Sequence, residues 1–232
     1  MKGIIKVDSN GRITGSIKRD LPLLVEPDFS IPECKNLYKN ICKYMSSKPF
    51  NNVTNLEDIE PERIGLIDEG LSEVRALTSF RIAFCDIDLI NDDGYKLKNG
   101  EVNLESKSLK NLFDKNKSNT VLVTAGTIGN AVDKRMEIYK KTNVSKMILL
   151  NSCSSAYVEY LYDMAEKIIL EELGLSNPSF RFAPGYGDVP LDRQSEIFKL
   201  FEEYKPELKI ELNEKNFMYP VKSMTGLTGC IR

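Results

Sequence analysis

The residues whose types and spacing could do chemistry lie in Arg181-Phe182-Ala183-Pro184-Gly185-Tyr186-Gly187-Asp188, with Pro190 close behind. Two prolines and two glycines hold this backbone out of a regular ladder and leave amides and carbonyls for a ligand to meet. Arg181 supplies a planar fork that can grip a carboxylate through two hydrogen bonds, and Tyr186 a flat face with a polar tip. Such a loop suits a zwitterionic amino acid joined to a base. The same types equally fit a plainer arrangement, Arg181 in a surface ion pair and Tyr186 in a core, and the segment alone does not choose between them. A second candidate is Gly126-Thr127-Ile128-Gly129 ahead of a helix, where glycines can bring backbone N–H groups to an anion. It matches neither the dinucleotide GxGxxG nor a P-loop ending in Gly-Lys-Ser/Thr, and a structural turn is the alternative.

Composition narrows the chemistry. The 232 residues contain no histidine, which removes the usual acid–base group near neutral pH and every Ser-His or Cys-His nucleophile pair. Hydrolase readings lose most of their support. Cys34, Cys42, Cys85, Cys153 and Cys230 are scattered without a CxxC pair, so neither a zinc site nor an iron–sulfur cluster has its ligands, and reduced, mostly buried thiols are expected. A net charge of −2 gives no nucleic-acid footprint. The start, MKGIIKVDSNGRITG, lacks the apolar stretch and cleavage site of a signal peptide, and no segment reaches the roughly 20 apolar residues of a membrane span. A cytoplasmic location is the expectation.

The elements that must position these residues follow from periodicity. Asn10-Gly11 between two short apolar stretches reads as a weak hairpin or arm. Residues 31–45 read as an amphipathic helix, and a second helix starts near Pro61 and runs toward Gly70-Leu71. In residues 77–90 the apolar positions change parity between Phe84 and Ile87, which predicts a bulge or bend in a long strand. Asp92-Asp93-Gly94 is a turn signal with a short antiparallel return. Ser106 or Ser108 can cap a helix through Phe113; residues 119–125 form a strand, and Gly126 leads directly into the next helix. The pattern from Met147 to Leu173 is the strongest helix, ending at Gly174, and a helix over 194–204 and a strand over 209–212 follow. Without a regular βαβ order the fold class is α+β, an irregular α/β with a mixed, largely antiparallel twisted sheet packed by helices. Residues 1–76 read as an N-terminal arm and helices, either separate from or part of the same domain as residues 77–232, which read as the main domain. A Rossmann methyltransferase is disfavoured by the lack of a glycine-rich first turn.

Arg-x-x-Pro-Gly-Tyr with Ala183 between Arg181 and Pro184, a helix, then Leu212 and Glu214, and Tyr219-Pro220 with Ser223 and Gly226, resemble the end of the activation domain of cobalamin-dependent methionine synthase. The form with Gly187-Asp188, Gln194, Met218 and Lys222 is similar to stand-alone relatives that accompany shortened methionine synthases. The resemblance runs from about Thr124 to Gly229 and is poor before Leu77. It implies that the loop binds S-adenosylmethionine: Arg181 on the methionine carboxylate, the backbone at Ala183, Pro184, Gly185 and Tyr186 near the nucleoside, and an acid on the preceding helix, Glu166 or next Glu159, on the ammonium. The implied role is reductive methylation of cob(II)alamin on a partner, a methionine synthase core or another corrinoid protein, with an electron from a flavodoxin-like or ferredoxin-like donor. The alternative is a non-catalytic adaptor that positions a corrinoid protein. In either case the cobalamin arrives with the partner, since no corrinoid motif with its histidine is present.

Overall fold

Strand β5 (Thr120–Thr127) is buried along its whole length and pairs antiparallel with β3 (Phe80–Asn91) on one side and β8 (Ser223–Cys230) on the other. The computed structural model describes residues 1–8, 12–17, 32–45, 59, 61–91, 95–97, 102 and 105–232. Beyond β3 lie β1 (Lys2–Val7) and β2 (Ile13–Gly15), giving the order β2-β1-β3-β5-β8, with the short β4 (Tyr95–Leu97) also on β3. Every pairing among these strands is antiparallel.

Helices cover both faces. On one face α1 (Pro32–Met45), α2 (Pro61–Leu77), α4 (Ala131–Thr142) and the 30-residue α5 (Val144–Leu173) pack over Ile5, Phe80, Ile82, Phe84 and Leu122. On the other, α3 (Lys107–Asn116), α6 (Arg193–Leu200) and α7 (Lys205–Leu208) pack over Ala83, Cys85, Ile87, Val121, Val123 and Leu227. The outcome is an α+β layering in which β1 continues the central sheet and α1 and α2 rest on α5.

This layering corrects the expected bulge in β3. Its register to β5 is unbroken from Arg81↔Thr127 to Asp88↔Thr120. Apolar residues occur at both parities because both sides of the strand are covered: Phe80, Ile82 and Phe84 face α5, while Ala83, Cys85 and Ile87 face α3 and α6. Two further boundaries shift. Helix α2 continues past Gly70-Leu71 to Leu77, because Gly70 packs on α5: an added Cβ would lie 2.8 Å from Cys153 Sγ. Gly126 lies inside β5 rather than at a helix start, where an added Cβ would meet Tyr162 Cε2 at 2.9 Å, and α4 begins only at Ala131.

Other expectations hold. Ser106 caps α3 by accepting from Leu109 N at 3.1 Å, and Gly174 ends α5 at φ 64°. β1 and β2 form the N-terminal hairpin, and β4 returns on β3; Asn10-Gly11 and the Asp92–Gly94 turn lie outside the described residues. The helix expected over 194–204 is α6 followed by a 3₁₀ turn at Glu202–Tyr204, and the short strand is β6 (Glu211–Leu212), paired with β7 (Met218–Tyr219). No helix among the described residues is long and apolar enough to cross a membrane.

Candidate functional site

After α5 the chain turns back along the outer edge of β8. Ser176 bridges Ile231, Ser179 N donates to Gly229 O at 2.8 Å, and Phe182 exchanges both backbone bonds with Leu227 at 3.0 and 2.8 Å. Extended backbone sends successive side chains to opposite sides. Phe182 therefore joins the α3/α6 cluster, while Arg181 crosses to α5. There its Nη1 donates to Glu166 Oε2 at 2.5 Å and its Nη2 to Asp163 Oδ1 at 2.7 Å, with the guanidinium 4.7 Å from the centre of the Tyr162 ring. Burial opposes the charge, but Glu166 and Asp163 outweigh it and hold the guanidinium well above its ordinary range. Thr228 Oγ1 on β8 donates to the other oxygen of Glu166.

Space for the arginine is made by Gly226, where a Cβ would sit 2.6 Å from Arg181 Cδ and 2.7 Å from Thr124 Oγ1. The loop beyond is closed on itself: Gly185 N donates to Val189 O at 2.9 Å, Tyr186 N to Ala183 O at 3.2 Å and Val189 N to Tyr186 O at 3.0 Å. Its far end is tied to α3. The Asp188 carboxylate accepts from Ser106 Oγ at 2.5 Å, Lys107 N at 2.7 Å and Ser108 N at 3.2 Å. Bonds from the Ser106 and Ser108 side chains, then those from the amides of Lys107 and Ser108, hold this carboxyl well below the usual carboxylate range.

A cleft of about 920 Å³ opens beside Arg181, lined by Glu166, Ala183 and Tyr186 among the expected residues, by Glu159 and Asp163 from α5, and by Tyr44 from α1. Pro184 is buried and, like Gly185, does not line it. Tyr186 is 69% exposed, so it stands at the mouth and is no core residue; Arg181 does make an ion pair, but with a side chain only 15% exposed. Among the described residues, four carboxylates and three cations line the cleft. A Tyr44 hydroxyl bond to Glu159 joins α1 to α5 at its rim.

The chain can be compared with known proteins on this geometry. No family model and no curated protein matches its sequence. A solved structure described as the MetH reactivation domain bound to AdoHcy superposes with a TM-score of 0.52 at 16% identity, over 84% of this chain and 74% of that one. The chain has the reactivation-domain fold.

Within the reactivation-domain fold, the remaining motif residues fasten β8 to its neighbours. Gln194 Oε1 on α6 accepts from Thr225 Oγ1 at 2.8 Å, and the buried Lys222 Nζ reaches Asn151 Oδ1 at 2.8 Å and Ser155 Oγ at 2.7 Å on α5. Of Gly126-Thr127-Ile128-Gly129, the first two end β5 and the last two connect it toward α4, with Thr127 Oγ1 accepting from Gly129 N at 3.0 Å and Ser79 N donating to Ile128 O at 2.8 Å. Sequence reasoning missed Asp163 and Tyr44. Glu159, Asp163 and Glu166 fall at i, i+4 and i+7 on α5, an acidic stripe that marks one helix face, whereas Tyr44 carried no such signal.

Proposed function

We propose that this chain binds S-adenosylmethionine in the cleft beside Arg181 and supports reductive methylation of a cobalamin carried by a partner protein. The observation that carries this reading is the convergence of Arg181, Glu166 and Asp163 on one wall of a cleft whose volume, about 920 Å³, lies within the range of about 300–1,000 Å³ of small-molecule sites. A free amino acid end offers a carboxylate to the guanidinium and an ammonium to the acids. On binding, each protein group exchanges one charged partner for another, so no charge is left buried alone. The one carboxylate in excess among the described lining residues complements the net positive charge of the sulfonium cosubstrate. The AdoHcy of the solved neighbour is the same molecule without the transferred methyl group.

In the proposed reaction the methyl carbon leaves the sulfonium sulfur and bonds to the partner's cobalt. One electron from a flavodoxin-like or ferredoxin-like donor completes the balance. The metal is the nucleophile, so this chain need supply no general base and its lack of histidine is no obstacle. Its own part is to orient the sulfonium and keep water out. A second reading, an adaptor that holds the corrinoid protein around a vestigial pocket, draws on Arg181 being already paired with both acids.

Calorimetric titration with S-adenosylmethionine decides between them. Saturable binding that Arg181→Ala weakens by about 1.5–3 kcal/mol, the range of a charge-assisted hydrogen bond, is expected. Absence of binding, both alone and with a corrinoid-loaded partner, would overturn the enzymatic reading and leave the adaptor.

A further inference from the structure

At the end of the sheet where β3 begins and β5 ends, a second cleft of about 600 Å³ is lined by Ser79, Arg81, Gly129, Lys205, Lys209 and Tyr219, among others. It shares no lining residue with the cleft beside Arg181. Among the described lining residues, Arg81, Lys205 and Lys209 stand against a single carboxylate, that of Glu211. Lys205 has a partner, Glu202 at 3.4 Å on its own exposed turn.

Arg81 carries the argument. It is half-buried, and among the described residues its guanidinium makes one hydrogen bond, from Nη2 to the Ser79 hydroxyl at 2.9 Å. No described carboxylate pairs with it. A guanidinium has five donors in a fixed fork, and Arg81 engages one of them with protein, in a solvent-exposed bond. Burial here works against its charge with no acid to offset the effect, in contrast to Arg181, whose carboxylates hold it charged. The covered tail of Arg81 is explained by packing, but an unneutralised fork at the wall of a cleft that two lysines also enter is not.

We infer that this second cleft binds a phosphate monoester, with Arg81 and Lys209 on the phosphate and Tyr219, which is 47% exposed, against the organic group. A phosphate dianion takes the guanidinium bidentately and a lysine as a point charge, the division of labour these two side chains support. Pro206, Ile210 and Pro220 form an apolar wall that gives the organic part a surface and separates an ester from free phosphate. The inference stands apart from the proposal for the first cleft.

The test uses phenyl phosphate as the ester, with inorganic phosphate and phenol as its two halves, followed by the phosphorus or proton line width on titration with the full chain. Saturable broadening of phenyl phosphate, weaker for inorganic phosphate and absent for phenol, is expected. Lys209→Ala, at an exposed position, and Arg81→Gln should each weaken it about tenfold, while Lys167→Ala, an exposed change at the first cleft, leaves it unchanged. Equal affinity for inorganic phosphate would overturn the ester and leave a bare anion site. No saturation, or loss with Lys167→Ala but not with Lys209→Ala, would overturn the site. Lys209→Ala keeps the test decisive if Arg81→Gln does not fold.

Discussion

Replacing Arg181 by alanine leaves the Glu166 side chain, 10% exposed, with Thr228 but no cation. Removing one member of a largely buried pair costs about 3 kcal/mol or more, because the remaining charge keeps its desolvation penalty. Arg181→Ala should therefore lower the urea midpoint clearly. Glu166→Gln should cost less, since Arg181 retains Asp163, which is 67% exposed. Adding Glu166→Gln to Arg181→Ala should recover part of the loss, the non-additivity expected of groups in contact. Arg181 and Glu166 could each be nominated from the sequence. Their bond to each other could not, because it depends on a segment between them folding back along β8. Gly226 was legible only as a motif position: its role is the room it gives Arg181, and nothing in residue type or spacing records that.

The element that brings the loop to the cleft is anchored at its far end through Asp188 and the start of α3. Asp188→Asn should loosen the loop and raise the dissociation constant for S-adenosylmethionine more than it lowers overall stability, since the carboxylate itself is exposed. The pH dependence has a defined sign. The folded carboxyl is held below its unfolded value, so its contribution is complete above that value, about 4, and is lost as pH falls toward the folded one. The difference between wild type and Asp188→Asn, read by thermal melts, should be constant at neutral pH and shrink below about pH 4. Local signals were readable: α5 from its spacing, the Ser106 cap from its residue type. β3 was misread in phase because alternation marks a strand with one solvated face, and both of its faces are buried. The Asp188 clamp was missed because its partners lie some eighty positions earlier.

For the molecule as a whole, covering both faces of the sheet places all five cysteines inside as buried thiols outside any disulfide. Burial pushes the thiols of Cys153 and Cys230 up to about 12. At pH 8 such groups are thiolate in only about one molecule in ten thousand, and it is the thiolate that reacts. Under native conditions a disulfide-exchange reagent should label none of the five rapidly; the labelling rate should instead follow opening of the structure and rise with denaturant, whereas a fast native phase would contradict this packing. The general layering was legible in composition and periodicity, while the strand order and the return of residues 176–182 to β8 were not, being long-range pairings without local signature.

That return has a consequence for solubility. β8 is the last strand of the sheet, and its outer backbone groups are met by Ser176, Ser179 and Phe182. A strand margin without such a cover is a template on which another chain can add. The stretch that presents Arg181 to the cleft is thus also the guard that keeps β8 from pairing between molecules, and damage to the pocket that frees this stretch would show itself as self-association as well as lost affinity.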